Sequence, residues 1–346
     1  MVNLMRIPTH EWHQQRGAVF EDYFDLEIPS HYGDFEQEYW HIRRDSGVRD
    51  VSHFGKVRVT GRDRLRFLNG MLTSEIKTLE VGKGTHALFL DVKGHIQCDM
   101  KVYAFPDHVL LVLQHYLVEK LMMGLDRYIM SEDVKMQDVS SEFAMVQILG
   151  PGAESFLTAK GLENPPESSY NHRTIEIAGS AANVIRLPSG YALLAPLSAG
   201  TAILSFLEGP LIGGKAFEVF RIESGLPLMH RDMDESNFPQ ESGLKDVLDF
   251  QKGCYLGQET MARIDAQGHV NRHLMGFALS APGNTGEKVF RESKEVGRIT
   301  SATHSLLLQQ PFAIGYIRRE FAREGEQVEV GKHNTTAIVR QLPLKG

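Results

Sequence analysis

The stretch Lys252-Gly253-Cys254-Tyr255-Leu256-Gly257-Gln258-Glu259 concentrates more reactive chemistry than any other part of the chain. Two glycines bracket a cysteine, a lysine precedes it, and a Gln-Glu pair follows. The thiolate is the reactive form of cysteine, and a neighbouring cation favours it. Cys254 therefore reads as a nucleophile or redox group. Glu259 reads as a proton carrier or as a carboxylate at the start of a helix. Gly253 and Gly257 would let the turn approach other backbone closely. The competing reading is a tight turn around a buried, inert thiol. Cys98, the second cysteine, falls in a strand pattern and is expected to be less exposed. No Cys-x-x-Cys pair occurs, so neither a zinc ribbon nor a thioredoxin-type centre is expected. His10, His13, His41 and His53 form no metal-like pattern with carboxylates and are read as structural; no metal is expected.

The elements that must position these groups follow from periodicity. Glu36–Arg44, charged and aromatic, reads as a helix. Lys56–Thr60 alternates polar and apolar residues, as a half-buried strand does, and Gly61 breaks it. Arg62–Leu72 places Leu65, Phe67, Leu68, Met71 and Leu72 in an amphipathic helical pattern. His86–Leu90 and Ile96–Tyr103 flank Lys93-Gly94 as a β-hairpin. Val109–Leu113 reads as a strand. Tyr116–Met130 reads as a helix with Leu117, Leu121, Leu125 and Tyr128 on one face. Val57-Arg-Val-Thr-Gly61 followed by Phe67-Leu68 recurs as Val146-Gln-Ile-Leu-Gly150 followed by Phe156-Leu157. That repeat suggests two related α+β halves. From Gly276 onward, short alternating stretches separated by turns predict a small all-β barrel or sandwich. We place the domain boundary there: residues 1–272, an α+β region, and 273–346, a C-terminal β-barrel.

Composition narrows the function classes. The chain has 346 residues, 42% hydrophobic and 23% charged, and a formal charge of −7. That is ordinary for a globular protein and excludes disordered, collagen-like or fibrous chains. The negative charge argues against direct nucleic-acid binding. The longest apolar runs fall far short of the roughly 20 residues that span a bilayer, so no membrane association is expected. Met1–Trp12 has no apolar core and does not read as a secretory signal. Two cysteines in so long a chain do not suggest a secreted disulfide scaffold, and we read a reducing, cytoplasmic setting.

Beyond these patterns lies a resemblance. Phe220-Arg221-Ile222-Glu223-Ser224-Gly225-Leu226-Pro227, then Asp234-Glu235-Ser236-Asn237-Phe238-Pro239-Gln240-Glu241, precede the octapeptide. Together they resemble the YgfZ branch of the folate-binding proteins. Asp50-Val51-Ser52-His53-Phe54-Gly55-Lys56-Val57, Thr60-Gly61 with Phe67-Leu68-Asn69, and Lys93-Gly94-His95-Ile96-Gln97-Cys98-Asp99 are similar to the aminomethyltransferase (glycine-cleavage T-protein) signature. Val296-Gly297-Arg298-Ile299-Thr300-Ser301 resembles that family's barrel. The resemblance covers essentially the whole chain. It implies an α+β fold of related subdomains around a central cavity for tetrahydrofolate or a one-carbon derivative, followed by a β-barrel.

The resemblance also implies roles. Asp99 matches the folate-side aspartate, Tyr103 its aromatic neighbour, and Phe54 the hydrophobic residue of the Ser-His-x-Gly motif. His86 stands where the family has a tyrosine. Arg221 matches the arginine of Arg-x-Glu-x-Gly and would pair with the glutamate tail of folate. A planar pterin with polar edges suits aromatic walls and a few fixed hydrogen bonds. One departure stands out. The segment Arg186–Leu194 lacks the Tyr-Thr-Gly-Glu portion of aminomethyltransferases, so the ordinary glycine-cleavage reaction is not expected. Two functions remain. One is a tetrahydrofolate-binding protein that supports iron–sulfur cluster assembly or maintenance, or tRNA modification, through iron–sulfur protein clients. The other is a folate-dependent aminomethyl- or methyltransferase in which Asp99 is the acid/base and Cys254 a second catalytic group.

Overall fold

The computed structural model describes residues 4–331 and 335–345; Met1–Asn3 of the start segment lie outside the described residues. The chain divides into two compact units, residues 1–89 with 98–217, and residues 90–97 with 218–346.

In the first unit, two five-stranded sheets are built to one plan. One runs in the order Gly84–Leu90, Ile96–Ala104, Val109–Leu113, Gly55–Thr60, Lys135–Asp138. The other runs His172–Ile177, Ser180–Leu187, Gly190–Pro196, Phe143–Leu149, Gly47–Asp50. In each, a strand enters a positive-φ glycine, Gly61 or Gly150. A helix follows, Arg64–Met71 or Ala153–Ala159. The leucines of the repeated Phe-Leu pairs, Leu68 and Leu157, are fully buried beneath those helices. The repeat seen in the sequence thus corresponds to a repeated local architecture.

The lead strands are exchanged between the halves. Gly47–Asp50 runs into Gly55–Thr60 but pairs with Phe143–Leu149 of the other sheet. Lys135–Asp138 runs into Phe143–Leu149 but pairs with Gly55–Thr60. The chain therefore crosses between the sheets twice, at residues 51–54 and 139–142. Val51, Val112, Val139, Met145 and Leu194 form one apolar cluster with residues of both sheets. Along Ile96–Ala104 the pleat sorts the side chains: Ile96, Cys98 and Met100 are buried, whereas Gln97, Asp99 and Lys101 lie half-buried on the opposite face.

The expected helices and strands up to residue 113 appear at or within two residues of their predicted positions. The next helix is shorter than expected. It spans Val118–Asp126, buries Leu121 and Leu125, and leaves Tyr128 beyond its end and partly exposed. Leu117 is buried in the single 3-10 turn before it.

The second unit contains a closed six-stranded barrel, which resolves the barrel-or-sandwich expectation. Its strands are Arg272–Leu279, Lys288–Arg291, Lys294–Ser305, Gln310–Arg318, Gln327–Val330 and Thr335–Arg340. Phe277, Val289, Ile299, Ile317 and Val339 fill its interior. Residues 218–271 and the hairpin turn 90–97 group with the barrel. No helix among the described residues is long and apolar enough to cross a membrane.

Candidate functional site

Asp99 sits on the half-buried face of its strand with two partners on one oxygen. His86 Nε2 lies 2.6 Å from Oδ1, and the Lys101 ammonium donates to the same Oδ1 at 3.2 Å. Burial alone would push the carboxyl up, but Lys101 and His86 outweigh it and hold it well below the usual carboxylate range. A carboxylate only accepts, so the His86 proton resides on Nε2 and Nδ1 is left as an acceptor. Burial, with Lys101 nearby, lowers the His86 pKa, so the ring is neutral at neutral pH. Oδ2 of Asp99 has no hydrogen-bond partner among the described residues.

Aromatic groups flank this carboxylate. The Tyr170 ring lies 6.2 Å from that of His86. Burial, and then Asp99, pushes the Tyr170 hydroxyl up to about 12. Tyr103 follows Asp99 and Lys101 on the same face of the strand and is fully buried. Its hydroxyl finds no partner among the described residues. Phe54, Tyr103 and Tyr170 belong to the one apolar cluster between the sheets. Phe54 is carried there by the crossing at residues 51–54. Lys56, fully buried, pins that crossing: its ammonium donates to the Ser52 carbonyl at 2.7 Å and the Phe143 carbonyl at 3.2 Å. Burial pushes the Lys56 ammonium down to about 8, against Asp50 and Asp138. The structure thus brings Phe54, His86, Asp99 and Tyr103 into one region of the first unit. Lys101 and Tyr170 were missed by sequence reasoning. Strand alternation from Asp99 could have found Lys101; nothing local marks Tyr170.

Arg221 is committed elsewhere. It is buried, and all five guanidinium N–H groups have partners within its own unit. Nε and Nη2 donate to the Glu218 carboxylate, both at 2.6 Å. Nη1 donates to Asp232 at 2.6 Å and to the Leu226 carbonyl at 3.1 Å, and Nη2 also donates to Ser301 at 2.9 Å. No donor remains for a folate tail, so the expected pairing is replaced by a structural one. Short-range sequence pattern showed the arginine but not Asp232 and Ser301, which reach it from other elements.

The octapeptide forms a turn and the start of the helix Gln258–Gln267. Gly257 has φ 82°, and a Cβ there would lie 2.6 Å from the Asp91 carbonyl of the hairpin turn. Gly257 is therefore where this motif meets residues 90–97. Gly253 has open space around it, so the expected close approach belongs to Gly257 alone. Glu259 stands in the first helical turn, where the macrodipole favours a carboxylate. The Lys252 ammonium lies 5.2 Å over the ring of Tyr255. The Tyr255 hydroxyl is buried without a partner among the described residues, and burial raises it to about 12. Cys254 is exposed and Cys98 is buried, so Cys254 is not a core thiol. In the folded protein, iodoacetamide is expected to alkylate Cys254 at least about tenfold faster than Cys98, because Cys98 reacts only after local opening. Peptide mass spectrometry over a time course reads the two rates, and equal rates would contradict the exposed thiol.

The hairpin replacing the expected tyrosine-glutamate stretch is also visible. Leu187 pairs with Gly190 across its turn. Tyr191 is buried, donates to Glu154 at 3.1 Å and lies beneath the Arg186 guanidinium. Among the described residues, no group of three His, Cys, Asp or Glu side chains could hold a metal ion.

Comparison with known proteins agrees with this architecture. A chloroplastic putative transferase of Arabidopsis thaliana is 28% identical over 310 residues, covering 86% of this chain and 72% of that protein. An aminomethyltransferase of Thermosynechococcus vestitus is 27% identical over 337 residues, covering 94% of this chain and 91% of that protein. The glycine cleavage system aminomethyltransferase T from Bartonella henselae shares the fold, with a TM-score of 0.89 at 20% identity over 99% of this chain and 98% of that one. The GCVT N-terminal domain matches residues 9–252 and the glycine cleavage T-protein C-terminal barrel domain matches residues 272–344, so the chain belongs to the glycine cleavage T-protein family.

Proposed function

We propose that this protein binds tetrahydrofolate, or a one-carbon derivative of it, in the first unit. The observation that carries the reading is Asp99: an ionised carboxylate with one oxygen anchored by His86 and Lys101 and the other without a partner among the described residues. The residues fit a flat, polar-edged ring. Phe54, Tyr103 and Tyr170 supply aromatic surface, and the orphaned Tyr103 hydroxyl supplies a polar contact that burial otherwise leaves unmade. A reduced folate, when bound, carries one-carbon units on its N5 ring nitrogen, on the adjacent N10 amine, or bridging the two. Asp99 would accept hydrogen bonds from the ring edge through Oδ2, and His86 would accept through Nδ1.

The alternative, a folate-dependent aminomethyl- or methyltransferase using Asp99 as acid/base, is supported by the family's aminomethyltransferases; the depressed carboxyl of Asp99 speaks against it as the acid. A general acid must hold its proton near the working pH. Lys101 and His86 keep Asp99 ionised far below that range. The resemblance of the octapeptide to the YgfZ branch, with an exposed Cys254, supports the finer reading: a folate-binding protein that serves iron–sulfur cluster assembly or maintenance, or tRNA modification. On that reading Cys254 provides a redox or covalent thiol toward iron–sulfur protein clients. A reducing, cytoplasmic setting suits such a thiol.

Calorimetric titration with tetrahydrofolate tests the proposal. Asp99→Asn replaces a charged acceptor with a neutral amide, and affinity is expected to fall roughly 10- to 100-fold, as for the loss of a hydrogen bond to a charged group. The fold should be retained. Unchanged affinity would remove Asp99 from the site. The same experiment extends to cells lacking the protein. Wild type should restore iron–sulfur enzyme activity, and Asp99→Asn and Cys254→Ser should not.

A further inference from the structure

We propose that Lys101 is a specificity residue: by sharing Oδ1 of Asp99 with His86, it makes this site select a ligand whose ring is neutral over one whose ring is cationic. The inference rests on the folate-binding reading and names the form of folate that the site takes.

The argument is a charge count. Asp99 is anionic and the Lys101 ammonium lies 3.2 Å from its Oδ1, so the two charges cancel locally. Among the described residues, the other groups beside the carboxylate add none. His86, 2.6 Å away on the neighbouring strand, is a neutral ring at neutral pH. Tyr170, from the segment before His172–Ile177, is a neutral hydroxyl. An isolated carboxylate attracts a cation strongly. This one already holds a cation, and a second seated on Oδ2 would feel the ammonium at close range. A neutral N–H donor suffers no such repulsion and still gains a charge-assisted hydrogen bond. The favoured ligands are therefore tetrahydrofolate and its neutral acyl forms. The disfavoured ones carry a positive charge on the ring, as iminium and amidinium forms do. Lys101 is half-buried on a strand surface, so its replacement leaves the core intact.

The test compares 5-formyltetrahydrofolate, neutral at the ring, with 5,10-methenyltetrahydrofolate, a ring cation, measured rapidly at pH 6 through its own absorbance. Wild type should prefer the neutral ligand by about tenfold or more. Lys101→Met should erase or reverse that preference, and Lys101→Arg should restore it. Independently of any ligand, the carboxyl ¹³C resonance of Asp99 should titrate at higher pH in Lys101→Met than in wild type. A preference unchanged in Lys101→Met, or an unmoved Asp99 titration, overturns the inference while leaving folate binding intact. If wild type binds neither ligand, the folate reading itself fails, and this inference with it.

Discussion

Arg221→Ala is expected to destabilise the protein by about 3–5 kcal/mol, the range for breaking a buried ion pair by removing one partner. The arginine is only 3% exposed and the Asp232 side chain is completely buried. Asp232 would keep neutral donors, Thr300 at 2.7 Å, Ser301 at 2.6 Å and the Leu228 amide at 3.0 Å. It would lose the only cation hydrogen-bonded to it among the described residues. Glu218 would keep Arg231, at 3.2 Å. Lysine would rescue poorly, because a single ammonium cannot span Glu218, Asp232 and Ser301 as a planar fork does. Urea denaturation of the full chain measures the loss. A variant of unchanged stability that loses only folate affinity would reverse the assignment and return Arg221 to the ligand.

A comparable loss is expected for Asp50→Ala, in the first unit. Its carboxylate accepts from Thr9 Oγ1 at 2.5 Å, His13 Nε2 at 2.8 Å and the Ser52 amide at 2.8 Å. The far nitrogen of His13 is hydrogen-bonded to the Tyr32 hydroxyl at 2.7 Å. Alanine would strand three buried donors together, which places the cost at about 3–5 kcal/mol. The pH dependence has a definite sign. Burial would raise the Asp50 carboxyl, but His13, Ser52 and Thr9 outweigh it and depress it well below its ordinary value. A depressed carboxyl contributes its stability fully above the unfolded-state pKa, near 4, and loses it as the pH falls toward the folded value. The stability gap between wild type and Asp50→Ala should therefore be flat from pH 5 to 7. It should narrow by roughly 1 kcal/mol at pH 3. Thermal unfolding at the two pH values checks this, and a gap that widens in acid would contradict the assigned sign.

The histidine of that network shows where local reading stops. His13 reads as one of four histidines with no pattern around it, and its partner Asp50 stands 37 positions away. The pair exists because the short helix His10–Gln14 and the strand Gly47–Asp50 pack together, and no periodicity encodes that.

What the sequence determined by itself is local. Alternation marked the strand Gly55–Thr60 and the hairpin around Gly94, and the repeated glycine turns marked two halves of one plan. Frequent turns after Gly276 marked the barrel. Each of these follows from backbone sterics and side-chain period within a dozen residues, so the residues alone suffice. The octapeptide likewise marked a reachable thiol, and Cys254 is exposed. Tertiary structure decided the rest. Only pairing across the fold exchanged the lead strands Gly47–Asp50 and Lys135–Asp138, and that exchange carries Phe54 into the cluster with Tyr103 and Tyr170. Only packing turned Arg221 inward onto Glu218, Asp232 and Ser301. Only cross-strand geometry set His86 on the oxygen of Asp99 that Lys101 also holds. These choices depend on which charges are desolvated together and which apolar surfaces meet. Those are properties of residues far apart in the chain, and local pattern carries no record of them.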